Sequence, residues 1–442
     1  MNASGSRRLW WCGLVLLVGG VMGPWFVAQS LCAQDEKEAI YANEMPDYER
    51  PIEFFLRRVK GQPKDPTYLV QLAQRYARKA RETGAEECYA LAEESLKKAL
   101  EINPKDPAAR LSMSGVLCFR HQFAAGLKLA EEVYAEQPDE LDALGSIHDA
   151  QMGLGDDVAA GKSLEELTKR IKGSVTGLWI RQAHFAELHG RDDEALKLVK
   201  QCIPVTLEGR GDHRTPGMVW YQLRLGHQLL EMGQVEPAVA EFEDAVKRLP
   251  GYFLAMSGLA EARAAQGRLD EALKLYAKTI ALCPDPLFHM AVGDIYTKLG
   301  QADQAKAAYA TAEKTILESG ATPAEYSREL SLFYSERGLQ PKKAVELARI
   351  DLTFRRDIFG HDALAWALYR DGQFEEAAKA SQQALRTGSR SAKLHYHAGM
   401  IQHRLGNVDA ARKYLTHATT HQPAFSVLDA DLARQTLKEL SK

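Results

Sequence analysis

The chain has 442 residues, enough for two or three ordinary domains, and balances 56 Lys and Arg against 59 Asp and Glu for a formal net charge of -3. Acids and bases are interspersed, so no one-sided field favours nucleic acid or an anionic membrane surface.

Arg7 and Arg8 form a short basic region, and no charged residue follows from Leu9 to Gln34. The apolar run LWWCGLVLLVGGVMGPWFVA contains Gly19, Gly20, Gly23 and Pro24, and small residues at Ala28 and Ser30 offer a cleavage point, with Ala33 a second. Residues 1–33 therefore read as a signal peptide or, since residues 9–34 are nearly long enough to span a bilayer, as an uncleaved membrane anchor. SRRLWW matches a twin-arginine signal only loosely, and the residues before Cys32 lack the lipoprotein pattern. The bulk of the chain is expected to be exported, periplasmic or extracellular. Cys88, Cys118, Cys202 and Cys283 are too scattered to read as a disulfide framework and are taken as buried free thiols.

Residues 34–47 are acidic and aperiodic, a linker. Residues 48–63 predict a capping helix with Pro51 in its first turn. Gln62-Pro63-Lys64-Asp65-Pro66 then anticipates Asn103-Pro104-Lys105-Asp106-Pro107, and four units fill residues 66–207. The first carries seven extra residues around Arg81 to Cys88, and the second has Gly126 where Ala is usual. Residues 208–218, with EGRGDHRTPG, read as an inserted loop. Six further units occupy residues 219–423; the eighth overall is the most degenerate, with one residue added before Ala344. Residues 424–442 end the chain as a second cap, with Leu428, Leu432, Leu437 and Leu440 at helical spacing.

The unit is clearest when Ala392–Pro423 is set on Phe253–Pro284: Gly406 falls on Gly267, Ala411 on Ala272, Leu415 on Tyr276 and Pro423 on Pro284. Gly accepts the left-handed turn that ends a first helix. Ala lets two helices approach, a large apolar residue four places on fills the groove between units, and Pro stops the second helix. The period of about 34 residues resembles the tetratricopeptide repeat (TPR), here of an exported bacterial type, from Tyr48 to Lys442. The resemblance implies an all-α fold: a right-handed α-solenoid of about ten helix-turn-helix repeats with N- and C-terminal capping helices. It also implies a non-catalytic scaffold that binds a protein or peptide in its concave groove, without cofactor, metal or nucleic acid.

In such arrays positions two, five, nine and twelve of each unit face the groove. Carried onto repeats nine and ten, with the following Arg residues, this gives a candidate peptide-binding groove of Phe359, Asp362, Trp366, Tyr369, Arg370, Tyr396, Met400, His403 and Arg404, alongside Lys393. Aromatics and Arg are enriched at binding hot spots, while the alternative is that Trp366, Tyr369 and Tyr396 simply pack between helices. Earlier units offer less: Leu111, Gly115 and Cys118 in repeat two, and Ser257, Glu261 and Ala264 in repeat six. No unit carries Lys and Asn at positions five and nine, so capture of a terminal carboxylate is not supported.

Three other features were weighed. GDDVAAGKS at Gly155–Ser163 has one residue too many between its glycines for a P-loop. Arg210-Gly211-Asp212 is a short adhesion-like tripeptide in a surface loop. Repeat ten holds His395, His397, His403, His417 and His421; the last two have metal-chelating spacing but no Cys completes a set. The rival readings are an enzyme or metal-binding protein using that cluster, and a self-associating structural array.

Overall fold

A computed structural model describes residues 45–173, 175–208, 215–319 and 322–441. The expected signal or anchor, most of the linker, and the Arg210-Gly211-Asp212 motif lie outside the described residues. What is described is helical: α1 (Glu49–Gly61), then ten antiparallel pairs, then α22 (Asp429–Leu440). The pairs are α2 (Pro66–Thr83) with α3 (Glu87–Ile102), α4 (Pro107–Phe119) with α5 (Phe123–Glu136), α6 (Leu141–Leu154) with α7 (Asp157–Arg170), α8 (Thr176–Leu188) with α9 (Asp192–Glu208), and α10 (Pro216–Glu231) with α11 (Val235–Arg248). There follow α12 (Phe253–Ala265) with α13 (Leu269–Leu282), α14 (Pro286–Lys298) with α15 (Ala302–Glu318), α16 (Pro323–Glu336) with α17 (Pro341–Phe354), α18 (Ile358–Arg370) with α19 (Phe374–Ala384), and α20 (Ala392–Arg404) with α21 (Val408–His421).

The Asp-Pro pairs in the echoed segments are helix starts. Asp65 and Asp106 accept from the backbone N–H of Thr67 and Ala109, and Pro66 and Pro107 open the helices. The turns of repeats three to ten each hold one glycine with φ between 66 and 81°. Repeat two has His121 at φ 57° in the equivalent place. The seven extra residues of repeat one mostly lengthen α2, which has 18 residues. The residue added in repeat eight is absorbed by Gln340 at φ 42°. Cys88, Cys118, Cys202 and Cys283 are buried. The C-terminal cap turns Ala430, Ala433 and Thr436 inward, whereas Leu432 faces solvent.

First helices of successive repeats pack on one another at α2–α4, α4–α6, α10–α12, α16–α18 and α18–α20; no two second helices pack as closely among the described residues. The first helices therefore take the inner, shorter arc of the curve. The curve is tight enough for a second turn to meet the first. The turn of repeat three touches the connection after repeat eight, where Arg356 N–H donates to Leu154 O at 3.0 Å. Arg386 reaches back to Asp157 and to the Gly155 carbonyl, and Arg390 and His421 stand 3.5 and 3.3 Å from Asp192. Apolar packing joins the same levels: Met152 and Leu188 share one core with Ile358 and Leu394. This contact sets which residues of the array can be reached from outside.

Candidate functional site

The first helices of repeats four to eight and of repeat ten carry a run of ionisable side chains. Helical spacing puts His184 and Glu187 on one face of α8, and Arg224, His227 and Glu231 on one face of α10. Glu261 on α12, Asp294 on α14, Glu336 and Arg337 on α16 and Lys393 on α20 continue it. These groups link first helices across repeats. Arg224 Nη2 donates to Glu187 Oε2 at 2.9 Å, and His227 Nδ1 stands 3.6 Å from Glu261 Oε2. Arg337 Nη2 donates to Asp294 Oδ2 at 2.8 Å, Tyr309 O–H donates to Asp294 Oδ1 at 2.7 Å, and Lys393 donates to Glu336.

Their protonation follows their partners. Burial works against the Glu187 carboxylate, yet Arg224 and His184 together hold it down at about 2. Glu336 is likewise held at about 2 against burial, by Lys393 and Arg337. Glu231 has no cation of its own: burial, with Glu187 and Glu261 nearby, pushes it up to about 8. Burial raises Glu261 to about 7. Burial, reinforced by Arg224, lowers His227 to about 3, so its imidazole is neutral.

The nine residues of the expected C-terminal groove are brought together only in part. Trp366 is 2% exposed and Tyr396 1%. Trp366 is stacked between Tyr369 at 4.6 Å and His397 at 4.1 Å, and Tyr396 lies under Phe425 at 5.2 Å. Asp362 accepts from the buried His397 at 2.9 Å, and Met400 is buried. Phe359, Tyr369 and His403 are half-buried. Arg370 and Arg404 are exposed, the first against the turn at Gly338 and the second over the Phe374 ring at 4.9 Å. The Trp366 indole N–H and His397 Nε2 are buried without a hydrogen-bond partner.

The histidines of repeat ten split. His397 serves Asp362, while His395 lies tilted against His417 at 3.9 Å between ring centroids and His421 faces Asp192. Among the described residues no three His, Cys, Asp or Glu converge to hold a metal ion. Gly155 of the P-loop-like stretch is the repeat's turn glycine, and Asp156 caps the helix that follows. The sequence reading set Glu261 aside as a lesser groove position, because it favoured aromatic and Arg content, and did not single out Glu187 or Glu231. Position nine, which reads Asp149, His184, His227, Glu261 and Asp294 down repeats three to seven, carries part of it; Glu187 and Glu231 lie three and four residues after their position-nine histidines.

A tetratricopeptide repeat family model matches residues 223–285 and 363–423, and a second one matches residues 288–314. The matched residues are tetratricopeptide repeats, and the ten helix pairs continue the same helix-turn-helix arrangement along the described chain. No curated protein matches it in sequence. Among solved structures it is similar to the APC/C hetero-tetramer Cut9-Hcn1 at 15% identity, over 89% of this chain and 93% of that one, with a TM-score of 0.35. It is similar to yeast Tom70 at 13% identity, over 89% and 92%, with a TM-score of 0.36. A tetratricopeptide repeat protein from Parabacteroides merdae is 14% identical over 60% of this chain and 99% of that one, with a TM-score of 0.36.

Proposed function

We propose that the array is a non-catalytic scaffold that works outside the cytoplasmic membrane and holds a segment of a protein partner along the inner face of its first helices. The observation that carries this reading is the ionisable run from His184 to Lys393, a polar surface on the concave side of a repeat array. Such a surface recognises an extended chain through hydrogen bonds and charge rather than by apolar burial. Phe359, Tyr369 and His403 extend the same face toward the C-terminal end. The charge-free stretch from Leu9 to Gln34 supports export or anchoring, since it has the composition of a targeting segment.

Photocrosslinking tests the binding face. A photoreactive residue at Glu261 should capture a partner from the native envelope, and one at Glu94 on an outer helix should not. Capture from Glu94 alone would reject the concave face. Fractionation of cells expressing a tagged full chain tests export.

A further inference from the structure

We propose that the array continues into a second copy of itself: the connections after repeats one to three of one chain stack on the turns of repeats seven to nine of another. This goes beyond the concave-face reading and does not depend on what that face binds.

The contact between the two superhelical turns supplies the register. Within one chain, a turn meets the connection that follows the repeat five places on. Arg120 at the turn of repeat two donates to Glu325, just past the connection after repeat seven. The turns of repeats three, four and five meet Arg356, Gly388 and Pro423, after repeats eight, nine and ten. Charge is matched across this contact and changes sign with level. Repeat two sets a cation on its turn, Arg120 against Glu325, whereas repeats three and four set Asp157 and Asp192 there, against Arg386 and Arg390.

The same edge is open further along. Among the described residues, a Cβ at Gly300, Gly372 or Gly406 would meet no atom within 4 Å. Helix α22 already starts a third turn over this edge, with Asp431 on Lys298 at the turn of repeat seven. It packs on the second helix α21, and α1 packs on the first helix α2. They thus stand as a first and a second helix whose mates are not among the described residues. Their outer sides show Leu432 and Phe54, 44 and 42% exposed, where the end of an isolated array needs a polar face. Set head to tail, α22 of one copy and α1 of the next make one composite pair. The offset of five then brings the connections after repeats one, two and three of the second copy onto the turns of repeats seven, eight and nine.

The charges at those three levels are opposite each time. Lys105 comes to Asp303, Asp139 to Lys342 and Lys172 to Glu375, and all six residues are exposed. Asp139 keeps its side chain in solvent although Arg170 touches it. The sign reverses at the middle level on both edges together, as it does between levels of the contact within one chain. Two different edges meet, so the interface is heterologous and propagates as an open filament.

The test is chemical crosslinking between two differently tagged full chains, one Asp139→Cys and the other Lys342→Cys, with a short bifunctional maleimide. The expected product is the mixed 139–342 dimer, in excess over the two same-site dimers and over a wild-type pair. Equal yields of the three pairings, or a mixed yield no higher than the wild-type background, overturn the proposal. Sedimentation velocity of the full chain should show association that Lys342→Glu weakens by about tenfold, because it sets like charges together. Lys342→Glu/Asp139→Lys exchanges the two charges and should restore it. Association through the apolar stretch of residues 9–34 would be blind to both changes. A wild type that stays monomeric, a Lys342→Glu chain that associates as well as the wild type, or an exchanged pair that does not recover overturns the proposal.

Discussion

The backbone N–H of Arg356 donates to the carbonyl of Leu154 at 3.0 Å, tying the connection after repeat eight to the last residue of α6 in repeat three. An array whose units touched only their neighbours would have a stability that is a sum of unit and nearest-neighbour terms. This bond belongs to a ladder of contacts with a constant register. The turn at Gly190 meets Gly388, and the turn at Gly233 meets His421 and Pro423. The second superhelical turn therefore rests on the first, and unfolding of the C-terminal repeats is coupled to the N-terminal ones.

Two turn glycines separate that coupling from backbone strain. Gly155 has φ 77°, and a Cβ there would stand 2.4 Å from the carbonyl carbon of Arg356. Gly267 has φ 75° with nothing within 4 Å of the same atom. Gly267→Ala should cost about 1–2 kcal/mol of left-handed strain. Gly155→Ala should cost that and roughly 1–3 kcal/mol more, because backbone of the opposite turn has to move. Urea midpoints read the difference. Equal losses would mean that the two turns do not touch in solution.

The stability that Glu231 and Glu261 contribute should fall as pH rises from about 6.5 to 8. Glu231 and Glu261 have folded-state values of about 8 and 7, above the ordinary carboxylate range, so in this window the folded chain binds protons that the unfolded chain has lost. Unfolding then releases protons and the slope of stability against pH is negative. Seven histidines lowered by burial, His121, His148, His227, His289, His361, His395 and His417, act with the opposite sign below and around the ordinary histidine value of about 6.5, so the carboxylate contribution is read as a difference between variant and wild type. The groups facing Glu231 are Glu187, Glu261, Asp192 and Arg224; Glu187, held at about 2, stays an anion, and Glu261 titrates in this range. In thermal melts Glu231→Gln/Glu261→Gln should gain stability relative to the wild type as pH rises through this window. A difference between variant and wild type that stays constant across the window would reject the raised carboxylates.

The repeat pattern was legible because its constraints are local. Gly155, Gly406 and their equivalents need a left-handed turn, and Asp65 and Asp106 cap the helices that their prolines open. The contact between superhelical turns was not, since it depends on small rotations summed over several units, and neither Leu154 nor Arg356 belongs to a motif. The aromatic reading of the groove stumbled on neighbours. Trp366 does occupy position nine, but Tyr369 and His397 cover both of its faces, and Phe425 from the segment before the final helix closes over Tyr396. Glu231 and Glu261 looked ordinary in sequence, because the lack of a counterion is a property of what surrounds them.

Truncating the aromatic stack should be a stability effect first. Trp366→Ala and Tyr396→Ala each remove a large side chain from a closed core, so each should cost about 3–5 kcal/mol. Tyr369 keeps one edge in solvent, and Tyr369→Ala should cost less than either. Chemical denaturation ranks the three. Trp366→Ala that melted like the wild type would show the ring to be free in solution and return it to the binding face.

Buried charge gives the sharpest contrast within one helix pair and its neighbour. Arg181 Nε and Nη2 donate to Asp149 Oδ1 and Oδ2 at 2.9 and 2.7 Å, with both residues buried, while Lys169 and Glu165 form an exposed pair one turn apart on α7. Arg181→Met removes one partner of the enclosed pair and strands the Asp149 carboxylate, which should cost about 3–5 kcal/mol. Asp149→Asn/Arg181→Met removes both charges and should recover much of that loss, because most of the penalty belongs to the unpaired anion rather than to the bond. Lys169→Met should leave the urea midpoint where it was, since water and salt already screen that pair. A double variant no better than Arg181→Met would assign the loss to packing around the guanidinium instead of to stranded charge.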